Sequence, residues 1–207
     1  MKPFTTLDAV AIPLPLSNVD TDQLIPARFM KRSRADGYGG FLLYDLRFDE
    51  TGAEQDDCPL NHPDRKGAQI MVSRRNFGSG SSREAAVYAL VDYGITCVIA
   101  PSFGDIFASN AVNNGLLPAV VSEADCERLL DGLEDGALTA VVDLEKLEIR
   151  AANLVLPFTV DPVWRTKLLN GWDDIDLTIS HESAIRDFVE SDRNNRPWMQ
   201  PAVPESD

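Results

Sequence analysis

The chain is poor in cysteine, histidine and positive charge, and it contains no long apolar run. Three cysteines occur in 207 residues, at Cys58, Cys97 and Cys126. They are odd in number and widely spaced, and no C-x-x-C pair is present, which argues against a zinc knuckle. Cys97 sits inside the apolar run Thr96–Ala100 and reads as a small buried hydrophobe. The two histidines, His62 and His181, lie in a polar loop and near a helix start. Neither has a nucleophile or ligand partner beside it in sequence, so the chain offers little for histidine-based proton transfer. Lysine and arginine number 19 against 33 acidic residues, a net charge of −14. That balance argues against nucleic acid as a partner, because phosphate backbones require clustered cations. No apolar stretch approaches the roughly 18 residues that suggest a membrane span. The N-terminal Met1–Thr6 lacks an apolar signal core, and a cytoplasmic location is expected.

What remains is the composition of an ordinary globular protein, 44% hydrophobic and 25% charged. The length suits one large domain over residues 1–195, followed by a loose, proline-rich tail over 196–207. Ala9–Ile12 begins a strand that Pro13 and Pro15 are expected to end. Residues 31–67 are rich in glycine, aspartate, arginine and proline, too long for a plain connector, and read as a functional loop or a partly disordered one, with Gly39–Tyr44 as a short helix or strand inside it. From residue 68 the pattern becomes regular. Strands are expected over 68–73, 95–100 and 116–121, alternating with helices over 83–93 and about 105–114, with Gly94 and Gly115 as stops. That order implies a partly parallel sheet. Ser122 reads as the cap of a further helix, residues 138–159 as an antiparallel meander, and 162–171 and 181–191 as helices. The fold class is therefore α/β, with a mixed, partly parallel sheet flanked by helices.

The most informative stretch is Asn76-Phe77-Gly78-Ser79-Gly80-Ser81-Ser82-Arg83-Glu84, between a strand and a helix. Such a loop aims backbone N–H groups and the positive end of the helix dipole at one spot, which favours anions. Four readings are open. A hydrolase nucleophile elbow needs glycines two residues to either side of one serine, and no serine here has them. A phosphate-binding P-loop needs a Gly-Lys-Ser/Thr ending that is absent. A carboxylate site would use Arg83 as a bidentate clamp, with Ser81 or Ser82 near the reacting carbon. The fourth reading is a tight glycine turn whose serines only cap the helix.

Two other segments bear on the choice. Asn18-Val19-Asp20-Thr21-Asp22-Gln23-Leu24-Ile25-Pro26 sets two acids around a threonine at a turn. Ala100-Pro101-Ser102-Phe103-Gly104-Asp105-Ile106-Phe107, ending in Asn113-Asn114-Gly115-Leu116-Leu117-Pro118, is a second strand-to-helix loop. Loops that leave the C-terminal ends of adjacent parallel strands meet at one edge, so both glycine/serine loops are expected to face one cleft. Against the acidic background, Arg28, Lys31, Arg32 and Arg34 form a basic cluster, which on composition alone is a solvated loop as readily as a site.

Taken together, these segments resemble the small subunit of bacterial 3-isopropylmalate dehydratase, of the aconitase superfamily. The likeness runs from about residue 8 to about residue 190 and covers D-T-D-x-I-I-P at Asp20–Pro26, N-F-G-x-G-S-S-R-E at Asn76–Glu84, V-I-A-P-S-F-x-D-I-F at Val98–Phe107 and N-N-x-L-L-P at Asn113–Pro118. It implies a swivelling β/β/α domain. It also implies a hydro-lyase of leucine biosynthesis that interconverts 2- and 3-isopropylmalate by dehydration and rehydration. The chain would be active only with a large catalytic subunit. No cofactor is implied in this chain; a [4Fe-4S] cluster on the partner would take the leaving hydroxyl as a Lewis acid. Carried over by position, the resemblance makes Ser81 the catalytic base and Asp22 an acid that orients the site. Ser82 and Arg83 hold a carboxylate of a small dicarboxylate substrate, and Arg34, with Lys31 and Arg32 as rivals, reads the rest of it. The chain departs from the usual G-C-G-S-S-R-E-H pattern at Ser79 and Ala85, and has Ala27 where the family has lysine after the proline. Related hydratases of citramalate or maleate share the architecture, and a non-catalytic carboxylate-binding module is the alternative of another class.

Overall fold

Residues 70–72, 97–100 and 117–119 have no exposed side chains, because they lie in parallel strands covered on both faces. A computed structural model describes residues 1–199. Its strands and helices follow in the order β1 (Thr6–Leu14), α1 (Thr21–Leu24), α2 (Tyr44–Arg47), β2 (Ile70–Ser73), α3 (Glu84–Tyr93), β3 (Cys97–Ala100), α4 (Asp105–Asn113), β4 (Leu117–Val120), α5 (Glu123–Glu134), β5 (Thr139–Asp143), β6 (Glu148–Ala151), β7 (Leu154–Pro157), α6 (Pro162–Asn170), α7 (Asp174–Ile179) and α8 (Glu182–Asn195). The seven strands form one mixed sheet in the order β4-β3-β2-β1-β5-β6-β7.

β1 is the hinge of the sheet. Its first half, Thr6–Val10, pairs antiparallel with β5, and its second half, Ala11–Leu14, pairs parallel with β2. The expected stop at Pro13 is not observed: the strand continues to Leu14, with Pro13 opposite Val72. On the β5 side the register ends at Val10 and the last backbone bond is from Ala11 N–H to the Leu138 carbonyl, at 2.9 Å; Pro13 lies beyond both, so its missing N–H breaks no ladder bond there. At the far ends of the sheet Val120 and Thr159 exchange two backbone hydrogen bonds of 2.9 and 2.8 Å, so the edge beyond β4 meets the segment after β7.

Two apolar layers result. On one face Cys126, Leu129, Leu130 and Leu133 of α5 pack against Ile70, Val72, Ile99, Val142, Ile149 and Leu156 of the sheet. On the other, α3 and α4 pack with Ile12, Met71 and Val98. The segment 31–67 joins that second layer. It is an ordered chain of short turns, 3-10 over Arg34–Asp36, Tyr38–Phe41, Pro59–Asn61 and Pro63–Arg65 together with α2, and the short element expected at 39–44 is the 3-10 turn Tyr38–Phe41. Leu42, Leu43 and Leu60 bury into the core, and Gly39 lies so close to α3 that a Cβ would stand 2.5 Å from the Asp92 carbonyl oxygen.

The helix signals hold. Gly94 ends α3 in the left-handed conformation at φ +114°, and the Ser122 hydroxyl caps α5 by accepting the Asp125 N–H at 3.1 Å. α7 is an addition that the sequence pattern did not suggest, and α8 is longer than the expected 181–191. Neither has a buried residue. Of the expected tail, Pro197–Met199 forms a 3-10 turn, and 200–207 lie outside the described residues. No helix among the described residues is long and apolar enough to cross a membrane.

Candidate active site

β1, β2 and β3 run parallel, so the segments leaving Leu14, Ser73 and Ala100 emerge at the same edge of the sheet. There they are stitched together by backbone contacts. Gly78 N–H donates to the Val19 carbonyl at 2.7 Å and Thr21 N–H to the Ser79 carbonyl at 2.9 Å, joining the first motif to the second. Phe77 N–H donates to the Ser102 carbonyl at 3.0 Å and Gly104 N–H to the Phe77 carbonyl at 2.9 Å, joining the second to the third. Asn18 and Asn76 both adopt positive φ, +57° and +62°, and their side chains hydrogen-bond each other at 2.9 Å. Asparagine tolerates that backbone region better than most residues. The glycines are required by contact: a Cβ on Gly78 would fall 2.2 Å from the Phe107 ring, and one on Gly104 would fall 2.6 Å from the Gly78 carbonyl oxygen.

On this platform Ser81 and Ser82 are exposed and Arg83 is half-buried. Arg83 is the N-cap residue of α3, and no side chain caps the helix. Its first N–H groups and the positive end of its dipole therefore face the same side as the two hydroxyls. Asp22, in the first turn of α1, forms an ion pair with Arg83. The serine pair, the arginine and Asp22 are thus gathered within one cluster, exposed as an open ledge. Chemically, the ledge offers hydroxyls for proton transfer and a guanidinium plus helix N-terminus for a carboxylate.

The comparisons with known proteins decide the family. Residues 1–124 match the model of the aconitase C-terminal domain. Curated relatives named 3-isopropylmalate dehydratase small subunit include one from Rhodospirillum centenum, 47% identical over 96% of this chain and 98% of its own length. Another, from Caulobacter vibrioides, is 46% identical over 97% of this chain and its full length. The chain belongs to this small-subunit family. A solved 3-isopropylmalate dehydratase structure from Methanocaldococcus jannaschii aligns with a TM-score of 0.62 at 26% identity, covering 91% of this chain and 99% of that one.

Within the small-subunit fold, the basic cluster after Pro26 divides. Arg34 lies against α3 rather than at its start: its guanidinium makes hydrogen bonds of 2.6, 2.9 and 3.2 Å to the Asp92 carboxylate and stacks 4.0 Å from the Tyr88 ring centre. Asp92 is nine residues along from Arg83, about 13 Å at the rise of an α-helix. Arg34 is thus engaged on the flank of α3, where Glu84, next to Arg83, also acts on its guanidinium. Arg28 is held by Asp45. Lys31 and Arg32 are exposed; the Arg32 carbonyl accepts the Tyr38 hydroxyl, which fixes the backbone there.

The donor set does not suit an iron–sulfur cluster in this chain. The three thiols sit on different elements and all are buried, and the described residues contain no group of three metal-ligating side chains. Burial pushes the Cys97 thiol up, and it raises Cys126 to about 12. Cys126 also donates its S–H to the Ser73 carbonyl at 3.2 Å. These are packed neutral thiols, whereas a cluster needs thiolates. His62 has a local role, its Nδ1 accepting the Asp64 N–H at 3.3 Å.

Sequence reasoning missed two participants. Phe107 stands against Gly78 and packs edge-to-face on Phe77 with ring centres 5.4 Å apart, so it shapes the loop from below. Its signal was the Gly-x-Gly spacing, which implies a close neighbour without naming it. In the sequence Thr21 reads only as the middle of the acidic turn. Its buried hydroxyl accepts the Ser81 N–H at 3.2 Å.

Proposed function

We propose that this chain is the small subunit of a two-chain hydro-lyase that interconverts 2- and 3-isopropylmalate in leucine biosynthesis. The observation that carries the reading is the convergence of the Asp20–Asp22, Asn76–Arg83 and Ser102–Phe107 segments at one sheet edge in a chain of this family. The large subunit supplies the other wall of the site and the iron–sulfur Lewis acid, while this chain's exposed ledge contributes the hydroxyls, the Arg83 cation and the Asp22 carboxylate.

In this reading Ser81 Oγ takes the proton from the carbon adjacent to the departing hydroxyl and returns a proton on the reverse addition. A serine hydroxyl is a weak base unless its anion is stabilised. The uncapped start of α3 and the Arg83 guanidinium supply positive potential beside it. Arg83 and Ser82 hold a substrate carboxylate. Asp22 keeps Arg83 extended across the ledge before substrate arrives. Arg34, with Lys31 and Arg32 as rivals, reads the rest of the substrate.

The test is co-expression with the large subunit followed by turnover measurements on isopropylmalate, citramalate and maleate. Turnover of isopropylmalate well above the other two supports the reading. Preference for citramalate or maleate would move the chain to a related hydratase. A chain that binds no large subunit and supports no hydration would leave it a carboxylate-binding module.

A further inference from the structure

The two acids of the Asp20-Thr21-Asp22 turn have evident work: Asp20 caps α1, accepting the Gln23 N–H at 2.8 Å, and Asp22 pairs with Arg83. Thr21 does not follow from either role. It is 2% exposed, and a buried side chain at a turn needs no hydroxyl unless that hydroxyl has a partner. Its partner is the backbone of Ser81, whose N–H lies 3.2 Å from Thr21 Oγ1. The Ser81 carbonyl is also engaged, accepting the Arg83 N–H at 2.7 Å. Both backbone polar groups of Ser81 are therefore fixed while its side chain stays in solvent. Gly80 supplies the turn that brings the two together: its φ is +98°, a backbone conformation that side chains with a Cβ rarely adopt.

We propose that Thr21 is a positioning residue for the reaction: its hydroxyl clasps the Ser81 amide and so sets the backbone orientation from which Ser81 Oγ meets the substrate carbon. The proposal rests on the reading of Ser81 as the base. A base on a loop is only as well placed as its backbone, and a displacement of about 1 Å is enough to cost on the order of 100-fold in rate. The restraint is one hydrogen bond from a second loop, which also receives the Ser79 carbonyl through the Thr21 N–H at 2.9 Å. The serine, its arginine neighbour and the acidic turn thus move as one piece.

Thr21→Val keeps the shape and removes the acceptor; Thr21→Ser keeps the acceptor and removes a methyl group. In the assembled two-chain enzyme, Thr21→Val is expected to lower kcat by roughly 10- to 100-fold, with KM within about two-fold and melting temperature and assembly unchanged, while Thr21→Ser stays near wild type. In the chain alone, exchange of the Ser81 amide with solvent is expected to be slow in wild type and in Thr21→Ser, and at least about ten-fold faster in Thr21→Val. Turnover of Thr21→Val within two-fold of wild type would overturn the proposal, as would a Thr21→Ser enzyme as slow as Thr21→Val. A wild-type Ser81 amide that exchanges like a free one would overturn it without any variant. If the wild-type pair shows no hydro-lyase turnover, the functional reading fails, and the amide measurement still decides whether the clasp exists.

Discussion

The two halves of the sheet share β1 but differ in what their connections can carry. In the parallel half, β2 and β3 are buried at every position, and each strand must be followed by a crossover before the next can align beside it. Those crossovers start at one edge, so segments around residues 20, 80 and 104 become neighbours. In the antiparallel half, β6 and β7 alternate buried with more exposed positions, and tight turns join β5 to β6 to β7. A short turn returns the chain to its own neighbour and brings nothing distant to it. The chemistry therefore gathers where the topology forces remote segments together, and the meander serves as a buttress beside it.

The sharpest way to break that division is at Ser81. Ser81→Ala removes an exposed hydroxyl that supports no packing. It is expected to reduce turnover of the assembled enzyme by roughly 10²- to 10⁴-fold, the range for loss of a positioned general base, with the melting temperature and the co-purified complex unchanged. Turnover near wild type would move the base elsewhere. A smaller effect is expected at Arg83. Arg83→Lys keeps the charge and an ion pair to Asp22 but loses the planar fork. Loss of one charge-assisted hydrogen bond is worth about 1.5–3 kcal/mol, so KM should rise by about 10- to 100-fold. An unchanged KM and kcat would make Arg83 a helix-end residue only.

The same contrast explains how much could be read in advance. Periodicity and punctuation located β2, α3 with its Gly94 stop, β3, α4 and α5 with its Ser122 cap, because each is a local pattern with a local end signal. The convergence of the motifs was legible because parallel order is a rule of topology. What escaped depended on partners far away in the chain. Pro13 reads as a strand end until β1 is seen to change partners at Val10. Arg65, inside an apparently polar loop, is buried and donates to the carbonyls of Ala11 at 2.7 Å, Ala137 at 2.9 Å and Leu133 at 2.6 Å. Backbone acceptors leave no mark on a sequence, so that tie between the 31–67 segment and the end of α5 had no signal. The partners of Arg34 were hidden for a related reason: Tyr88 and Asp92, one helical turn apart on α3 and more than fifty residues away in sequence, receive its guanidinium.

The antiparallel half supplies the converse test, a change that alters stability and leaves the chemistry alone. Asp143 ends β5, and its carboxylate accepts the Lys146 N–H at 2.8 Å. The Lys146 ammonium lies 3.2 Å away and Arg150 3.8 Å. The Lys146 N–H first, and then the Lys146 side chain, hold the Asp143 carboxyl below its ordinary range. A carboxylate with a lowered folded-state pKa binds protons less readily in the folded than in the unfolded chain. Its contribution is therefore complete above the ordinary carboxylate range and is lost as pH falls through the lowered value. Asp143→Asn keeps an acceptor for the Lys146 N–H and removes the charge. The variant should melt below wild type at pH 7, and the gap should close as melts are taken down towards pH 3, while kcat and KM of the assembled enzyme at pH 7 stay unchanged. A gap that is the same at every pH would mean that the charge is not the source of the stability. Altered kinetics would mean that the meander reaches into the site, and the division between the two halves would fail.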